Sequence, residues 1–269
     1  MPFTMATWNA LATAYIRREY YPNTPPEVLD AVWRTPAMVR FAKSLGVDVL
    51  CLQEVEREVF AALEAGLGEM GYEGRYVLKG GKRPDGCAAF FRKDRFNLVS
   101  AQRFAYLDGD GGGGASGHIV QLLIVEDGGR RLALLNTHLK WDAPGTPRER
   151  QWGYRQASQA LDVLRQEADG VDGEIICGDL NVTPESDVVA ALLAAGFNYA
   201  HRGCDGVRTC NSSREPKLID YLFYRGLLRS RPVLPDPIDE DTVLPSLEMP
   251  SDHLPLVARF DWTRAGVVS

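Results

Sequence analysis

The sequence predicts an α/β protein in which two mixed β-sheets pack face to face with helices on their outer faces. Short apolar, β-branched segments alternate with amphipathic segments along the whole chain. They give about nine or ten strands and four helices, joined by both hairpins and crossovers, as two packed sheets require. No linker divides the 269 residues, so we expect a single domain over 1–269.

The N-terminal part begins with a predicted strand at 3–8. A helix is predicted at 26–45, with a bend near Pro36. The next strand, 47–52, is a continuous apolar run, which is typical of a buried strand. Another helix follows at 56–70. Three more strands are predicted at 72–78, 87–92 and 96–106.

A glycine-rich segment occupies 109–117. It lacks the G-x-x-x-x-G-K-[ST] pattern of a phosphate-binding loop, so we interpret it as a mobile hairpin connection. The strands at 119–126 and 131–137 would then be the two strands of that hairpin. The rest of the chain is predicted to contain helices at 153–167 and 187–195, strands at 174–177, 218–224 and 254–260, and a long proline-rich loop at 232–250.

The composition is ordinary for a globular protein, with 45% hydrophobic and 25% charged residues. The sequence shows neither a membrane-spanning apolar stretch nor a targeting signal. The number of cysteines is odd and there is no C-x-x-C pair, although Cys204 and Cys210 could form a disulfide. We therefore expect a cytoplasmic protein without disulfides or zinc.

The net charge of −6 argues against a positively charged surface for tight, nonspecific binding to duplex nucleic acid. It does not exclude a nuclease, because an enzyme that binds magnesium concentrates carboxylates in its site.

Polar residues suited to metal binding or proton transfer lie at six strand ends. Each one alone is more often a turn residue, a helix cap or a solvated group. Six of them together indicate a functional site. They are Asn9, Glu54, His138, Asp179 with Asn181, Asp220, and Asp252 with His253.

The order of these motifs resembles the endonuclease/exonuclease/phosphatase superfamily. The motifs are Trp-Asn at 8–9, Gln-Glu at 53–54, Asn-Thr-His at 136–138, Gly-Asp-x-Asn at 178–181, Ile-Asp-Tyr at 219–221 and Ser-Asp-His at 251–253. The resemblance implies a four-layer α/β sandwich. The stretches 7–12, 51–55, 85–88, 136–141 and 220–224 are similar to the deadenylase and nocturnin branch. That branch includes poly(A)-shortening exonucleases, 2′,5′-oligoadenylate phosphodiesterases and a phosphatase acting on NADP(H).

A magnesium ion prefers oxygen ligands, which makes Glu54 the natural carboxylate ligand and the amide oxygen of Asn9 its neighbour. By resemblance, Asp179, Asn181 and His253 gather round the attacking water or a second metal ion. One or two Mg²⁺ ions are expected, with Mn²⁺ as an alternative.

The resemblance also implies individual roles. Asp179 would orient and deprotonate the water, and Asn181 would hold the phosphate or the nucleophile. Asp220 would accept a hydrogen bond from His253, which Asp252 would brace unless it lies near the metal. In addition, His138 would donate to a nonbridging phosphate oxygen.

Lys79 resembles the phosphate-contacting lysine of the deadenylase branch, although a solvated hairpin tip is the alternative. Trp141 and Pro144 follow His138 and are expected to flank a base or another planar group, with a buried structural role as the alternative for the tryptophan. One departure from the branch is the lack of aromatic residues in 211–216, where deadenylases carry one that stacks on adenine. This departure argues against poly(A) specificity.

The functional hypothesis is a Mg²⁺-dependent hydrolase of phosphodiesters in RNA, a single-stranded oligonucleotide or a small nucleotide. One alternative is a phosphatase or phosphodiesterase for a sugar, inositol or lipid headgroup. Another is a catalytically inactive binding module. No membrane or protein partner is evident, and a monomer is expected.

Overall fold

The computed structural model describes residues 1–108, 115–211 and 214–264, which form two six-stranded sheets. The first sheet has the spatial order β11 (Leu228–Val233), β12 (Leu256–Trp262), β1 (Phe3–Asn9), β2 (Val49–Glu56), β4 (Asp85–Arg92) and β3 (Tyr72–Leu78). The second has the order β5 (Phe96–Ala105), β6 (Ile119–Asp127), β7 (Arg130–Thr137), β8 (Gly173–Asp179), β10 (Asp220–Gly226) and β9 (Asn198–Tyr199).

In the described part of the chain, four α-helices lie outside the sheets: α1 (Ala31–Leu45), α2 (Arg57–Gly68), α3 (Trp152–Glu167) and α4 (Asp187–Ala194). One apolar cluster joins α1 and α2 to the first sheet, and another joins α3 and α4 to the second. A third cluster lies between the sheets. The expected four-layer α/β sandwich is therefore confirmed.

Strand β1 shows why its sequence is apolar on both faces. Phe3 and Met5 belong to the cluster between the sheets, whereas Ala6 and Trp8 belong to the cluster under the helices. Since alternate side chains point to opposite faces and both faces are buried, polar residues occur mainly at the strand end.

Each sheet contains one parallel pair near its centre, β1 with β2 and β7 with β8. The chain between the strands of each pair contains a helix, α1 or α3. The carboxyl ends of parallel strands lie at the same edge of a sheet. Contacts of β1 and β2 with β8 and β7 bring these two edges together, which is where the predicted polar residues lie.

Three element predictions need correction. The helix expected at 26–45 begins as a separate 3-10 turn, Pro26–Leu29, because Asp30 is extended and caps α1 by accepting the Val32 N–H at 2.7 Å. Pro36 lies inside α1. Strand β11 enters the expected loop 232–250; it is an edge strand with exposed residues and a proline, so its local signal is weak.

The third correction concerns the glycine-rich segment. It lies between β5 and β6, whereas the strands predicted at 119–126 and 131–137 are joined through Gly128 and Gly129, both with positive φ. Residues 109–114, on which most of the mobile-hairpin prediction falls, lie outside the described residues.

All five cysteines have free thiols, including Cys204 and Cys210. Within the described ranges, no helix combines the length and apolar character needed to cross a membrane.

Candidate active site

The predicted polar residues come from strand ends of both sheets. Asn9 ends β1, Asp179 ends β8, Asp220 begins β10, and His138 directly follows β7. These ends meet where the two sheets are packed together, so residues far apart in the chain become neighbours.

Glu54 lies at an irregularity in the pairing of β2 with β4, between Leu52 and Val55. Its backbone is left-handed, with φ 55°. Bulges re-aim side chains, and left-handed non-glycine residues concentrate at functional sites. Leu11 (φ 55°) and Asn181 (φ 54°), which flank the same site, share this conformation.

Asn9 connects the carboxylates of the two sheets. Its amide nitrogen donates to Glu54 Oε1 at 3.0 Å and to Asp179 Oδ2 at 2.9 Å. The amide oxygen of Asn9 accepts the N–H of Leu11 at 2.9 Å, and Glu54 Oε2 accepts the N–H of Ala12 at 2.9 Å. Two carboxylates thus lie within reach of a single nitrogen atom.

These carboxyl groups are poorly solvated. Burial raises the pKa of Glu54, although Lys79 and Asn9 act in the opposite direction. Burial and the nearby Asp220 raise the pKa of Asp179 to about 7. Adjacent buried carboxylates favour a compensating cation, and their oxygen atoms are the ligands that a hard divalent ion prefers. The residues present therefore fit a divalent metal ion.

His253 pairs with Asp220. Its Nδ1 donates to Asp220 Oδ2 at 2.9 Å, and its Nε2 lies 3.8 Å from Asp179 Oδ2. Although burial opposes the charged form, Cys210 and Asp220 hold the pKa of His253 well above its usual value. The carboxylate oxygens and ring nitrogens of Asp179, Asp220 and His253 form a cluster that could hold a metal ion.

His138 has a different environment. Burial and the charge of Lys79 hold the pKa of His138 well below its usual value, so the ring is neutral. Asn181 donates from Nδ2 to His138 Nε2 and to the Leu139 carbonyl, both at 2.9 Å. Because Nε2 accepts, the ring proton is on Nδ1, which lies 3.7 Å from Glu54 Oε1.

Lys79 is buried in the site and is not at a solvated hairpin tip. Its Nζ forms an ion pair with Asp85 Oδ2 at 2.7 Å and lies 3.4 Å from His138 Nδ1. The hydroxyl of Tyr15 donates to Asp85 Oδ1 at 2.6 Å. Sequence reasoning gave no role to Tyr15 or Asp85, although Asp85 lies in the quoted stretch 85–88.

Asp252 is buried beside His253. It accepts the hydroxyl of Tyr21 on Oδ2 at 2.9 Å, while its Oδ1 has no partner among the described residues. Cys210 lies in the same group, with its sulfur within 4.8 Å of ligand atoms of Asp252 and His253. Neither Tyr21 nor Cys210 carried a recognisable signal in the sequence.

Hydrogen bonds of two buried polar side chains join the two sheets beneath the site. Gln53 Nε2 donates to Asn136 Oδ1 at 2.7 Å, and Asn136 Nδ2 donates to the carbonyls of Leu52 and Ala88. Gln53 belongs to the Gln-Glu motif and Asn136 to the Asn-Thr-His motif, but the two side chains come into contact only when the sheets pack together.

Trp141 and Pro144 line a cleft of about 430 Å³ that reaches Asn181. The side chain of Trp141 is 60% exposed, so the alternative of a buried structural tryptophan is wrong. The cleft is also lined by Asp142, Glu185, Asp187 and Lys217, among others.

A fold of two stacked mixed sheets, with carboxylates, imidazoles and amides gathered where their strand ends meet, is typical of phosphoesterases. Residues 6–253 match the endonuclease/exonuclease/phosphatase family, and the chain belongs to that family.

Relatives of this chain fall in the expected branch. Human nocturnin is 28% identical over 297 residues, covering 97% of this chain and 66% of its own length. Candida albicans Ccr4, a 3′-5′-exoribonuclease subunit of the CCR4-Not complex, is 25% identical, covering 96% and 41%. The chain thus spans about two thirds of nocturnin and less than half of Ccr4.

The structure of the human nocturnin catalytic domain with bound sulfate superposes with a TM-score of 0.72 at 26% identity, covering 97% of this chain and 94% of that one. The resemblance to the deadenylase and nocturnin branch is therefore confirmed.

Proposed function

We propose that this protein is a magnesium-dependent hydrolase that cleaves phosphodiester bonds in nucleic acid, either RNA or a single-stranded oligonucleotide, or in a small nucleotide. The observation that carries the proposal is the contact of one Asn9 amide with the carboxylates of both Glu54 and Asp179, at 3.0 and 2.9 Å. The relative Ccr4 is a 3′-5′-exoribonuclease subunit, which supports the same chemistry.

Asn9, Glu54, Asp179, Asn181 and His253 would hold one or two metal ions, with the Asn9 amide turned so that its oxygen leaves the Leu11 N–H and faces the ion. Oxygen donors dominate this set, which favours Mg²⁺, and the single imidazole also suits Mn²⁺. When bound, the ion would polarise the phosphoryl oxygens and offset the charge that develops during displacement.

The proton transfer falls to Asp179. In the metal-free site the pKa of Asp179 is about 7, so this carboxyl is well matched to accept a proton from water at neutral pH where it does not ligate an ion. Asn181 would orient the water or the phosphate with its amide. Where His253 does not ligate a metal ion, its imidazolium, held by Asp220 and flanked by Asp252, would place positive charge next to the reacting phosphate.

Lys79 and His138 would contact the phosphate from the other side. The ion pair with Asp85 aims the Lys79 ammonium towards His138. For His138 to donate from Nε2, the ring proton must move from Nδ1 to Nε2, and the amide of Asn181 must release that nitrogen. We therefore expect Asn181 to exchange its His138 contact for one to the substrate.

Trp141 and Pro144 would flank a base, and the cleft that they line limits the size of the substrate. Among the described residues that line it, Asp142, Glu185 and Asp187 are acidic and Lys217 alone is cationic. Such a surface repels a long polyanion, so a small nucleotide or a short oligonucleotide fits better than extended nucleic acid.

The rival substrates are phosphoesters of a sugar, inositol or lipid headgroup, and the rival of another class is an inactive binding module. We further propose one catalytic domain over 1–269, a monomeric state and a cytoplasmic location.

The test is hydrolysis of a panel containing oligo(A), single-stranded DNA, NADP and inositol phosphates, with and without Mg²⁺. Glu54→Ala and His253→Ala should each lower the rate by at least about 10²–10³-fold. Glu64→Ala, an exposed glutamate of α2, is the matched control and should leave the rate unchanged. No Mg²⁺-dependent hydrolysis of any substrate, or full activity in both site variants, would refute the proposal.

A further inference from the structure

The segments that carry Asn9 and His253 are adjacent, yet the pairing of β1 with β12 ends before it reaches either residue. Strands β1 and β12 are paired only from Phe3 with Phe260 to Thr7 with Leu256. Residues 8–13, at the end of β1 and after it (the Asn9 segment), and residues 250–254, before β12 (the His253 segment), lie beyond that register.

Arg34, in the first turn of α1, spans this gap. Its Nη2 donates to the carbonyls of Ala10 at 2.7 Å and Leu11 at 2.5 Å, and its Nη1 donates to Thr13 Oγ1 at 3.0 Å. Its Nε donates to the Pro250 carbonyl at 3.0 Å. One guanidinium thereby joins three residues of the Asn9 segment to the start of the His253 segment.

Burial makes this arrangement costly unless each donor is satisfied. The Arg34 side chain is fully buried. Within the described part of the chain, no carboxylate lies within ion-pair distance of it, so backbone carbonyls and one hydroxyl take its hydrogen bonds. A planar guanidinium with five fixed donors can hold several acceptors at once, whereas an ammonium cannot reproduce that fork.

Two weaker links join the same segments. Ser251 Oγ donates to the Asn9 carbonyl at 2.7 Å and accepts the His253 N–H at 3.2 Å. The indole of Trp8 donates to the His253 carbonyl at 2.8 Å. Arg34 is the charged member of this set and the member that contacts the Asn9 segment at three residues.

We propose that Arg34 is a positioning residue that sets the placement of Asn9 relative to His253 without touching the substrate. This inference rests on the proposed hydrolase function. Asn9 and His253 must keep their relative position around the reacting phosphate. A displacement of about 1 Å between these two residues should therefore lower the rate about 10²-fold.

The test compares Arg34→Met with Arg34→Lys and with Arg40→Met, which removes an exposed arginine of the same helix. Arg34→Met should lower kcat about 10²-fold with little change in KM, because misplacement affects the transition state more than ground-state binding. Arg34→Lys keeps the charge but not the fork and should lie between the wild type and Arg34→Met. Arg40→Met should match the wild type.

A second measurement is independent of activity. Amide hydrogen exchange should accelerate in both the Asn9 and the His253 segments of Arg34→Met and Arg34→Lys, well below the melting temperature, and remain unchanged in Arg40→Met. If Arg34→Met does not fold, Arg34→Lys provides both readouts.

An Arg34 variant with wild-type kcat, or one whose exchange is unchanged in both segments, overturns the proposal. A wild-type protein that hydrolyses nothing refutes the proposed function instead, so the two failures are distinguishable.

Discussion

The imidazole of His253 donates from Nδ1 to the carboxylate of Asp220 at 2.9 Å, although the two residues are separated by 33 positions in the chain. This hydrogen bond fixes the ring orientation and leaves Nε2 facing Asp179, at 3.8 Å. A carboxylate that orients a histidine in this way also stabilises the imidazolium.

Replacing the charged partner tests that relationship. Asp220→Asn should keep a hydrogen-bond acceptor for Nδ1 but remove its charge, which lowers the pKa of His253 from its raised value. We expect kcat to fall by about 10–100-fold and the alkaline limb of the pH profile to move to lower pH. Asp205→Asn, at an exposed aspartate, is the control. An unchanged pH profile in Asp220→Asn would contradict the assignment.

Stability should depend on pH and on magnesium together. The pKa of Asp179 rises from 3.8 to about 7 in the folded protein, and the pKa of Glu54 is raised too, so the folded state holds these protons more tightly than the unfolded state. The metal-free protein should therefore lose stability as pH rises from 3.8 through about 7. Magnesium, which competes with protons for these carboxylates, should raise the melting temperature more at about pH 8 than at about pH 5. Equal stabilisation at the two pH values would argue against metal binding by these groups.

The buried pair of Lys79 and Asp85 should be energetically coupled. Lys79→Met or Asp85→Asn alone leaves one buried charge without its partner, which should cost about 3–5 kcal/mol of unfolding free energy. The double variant should lose less unfolding free energy than the two single variants lose together. It should nevertheless remain poorly active, because the cation next to His138 is gone. Denaturant unfolding of the wild type and the three variants measures the coupling, with exposed Lys82→Met as the control. Additive costs would show that the two charges act independently.

Trp141 should affect substrate binding and not stability. Because its side chain is 60% exposed, Trp141→Ala should leave the melting temperature unchanged. Loss of a stacked base costs about 1–3 kcal/mol, so KM for a nucleotide substrate should rise roughly five- to 150-fold. KM for a phosphoester without a base should not change. Tyr20→Ala, which truncates another exposed aromatic residue, is the comparison, and identical KM values in both variants would exclude stacking.

Local sequence was sufficient to predict most strands and the residues at their ends. Strand β8, for example, has an apolar run at Ile175–Cys177 and ends at Asp179, which is buried where the strand ends of the two sheets meet. Alternation and apolar runs are properties of neighbouring residues, so they can be read without knowing the partner strands. Edge strand β11 was missed because it is buried on too little of its surface to carry that pattern.

By itself, the sequence determined the two-sheet class, the six polar strand ends and, through the order of their motifs, the family. The tertiary structure decided which atoms meet: the Asn9 amide between two carboxylates, the bulge that turns Glu54 inward, and the roles of Tyr15, Tyr21 and Arg34. These contacts join residues from different sheets and loops, and their geometry depends on how the sheets pack. No local sequence pattern predicts that packing. A buried arginine in a helix, for example, cannot be distinguished in the sequence from an exposed one.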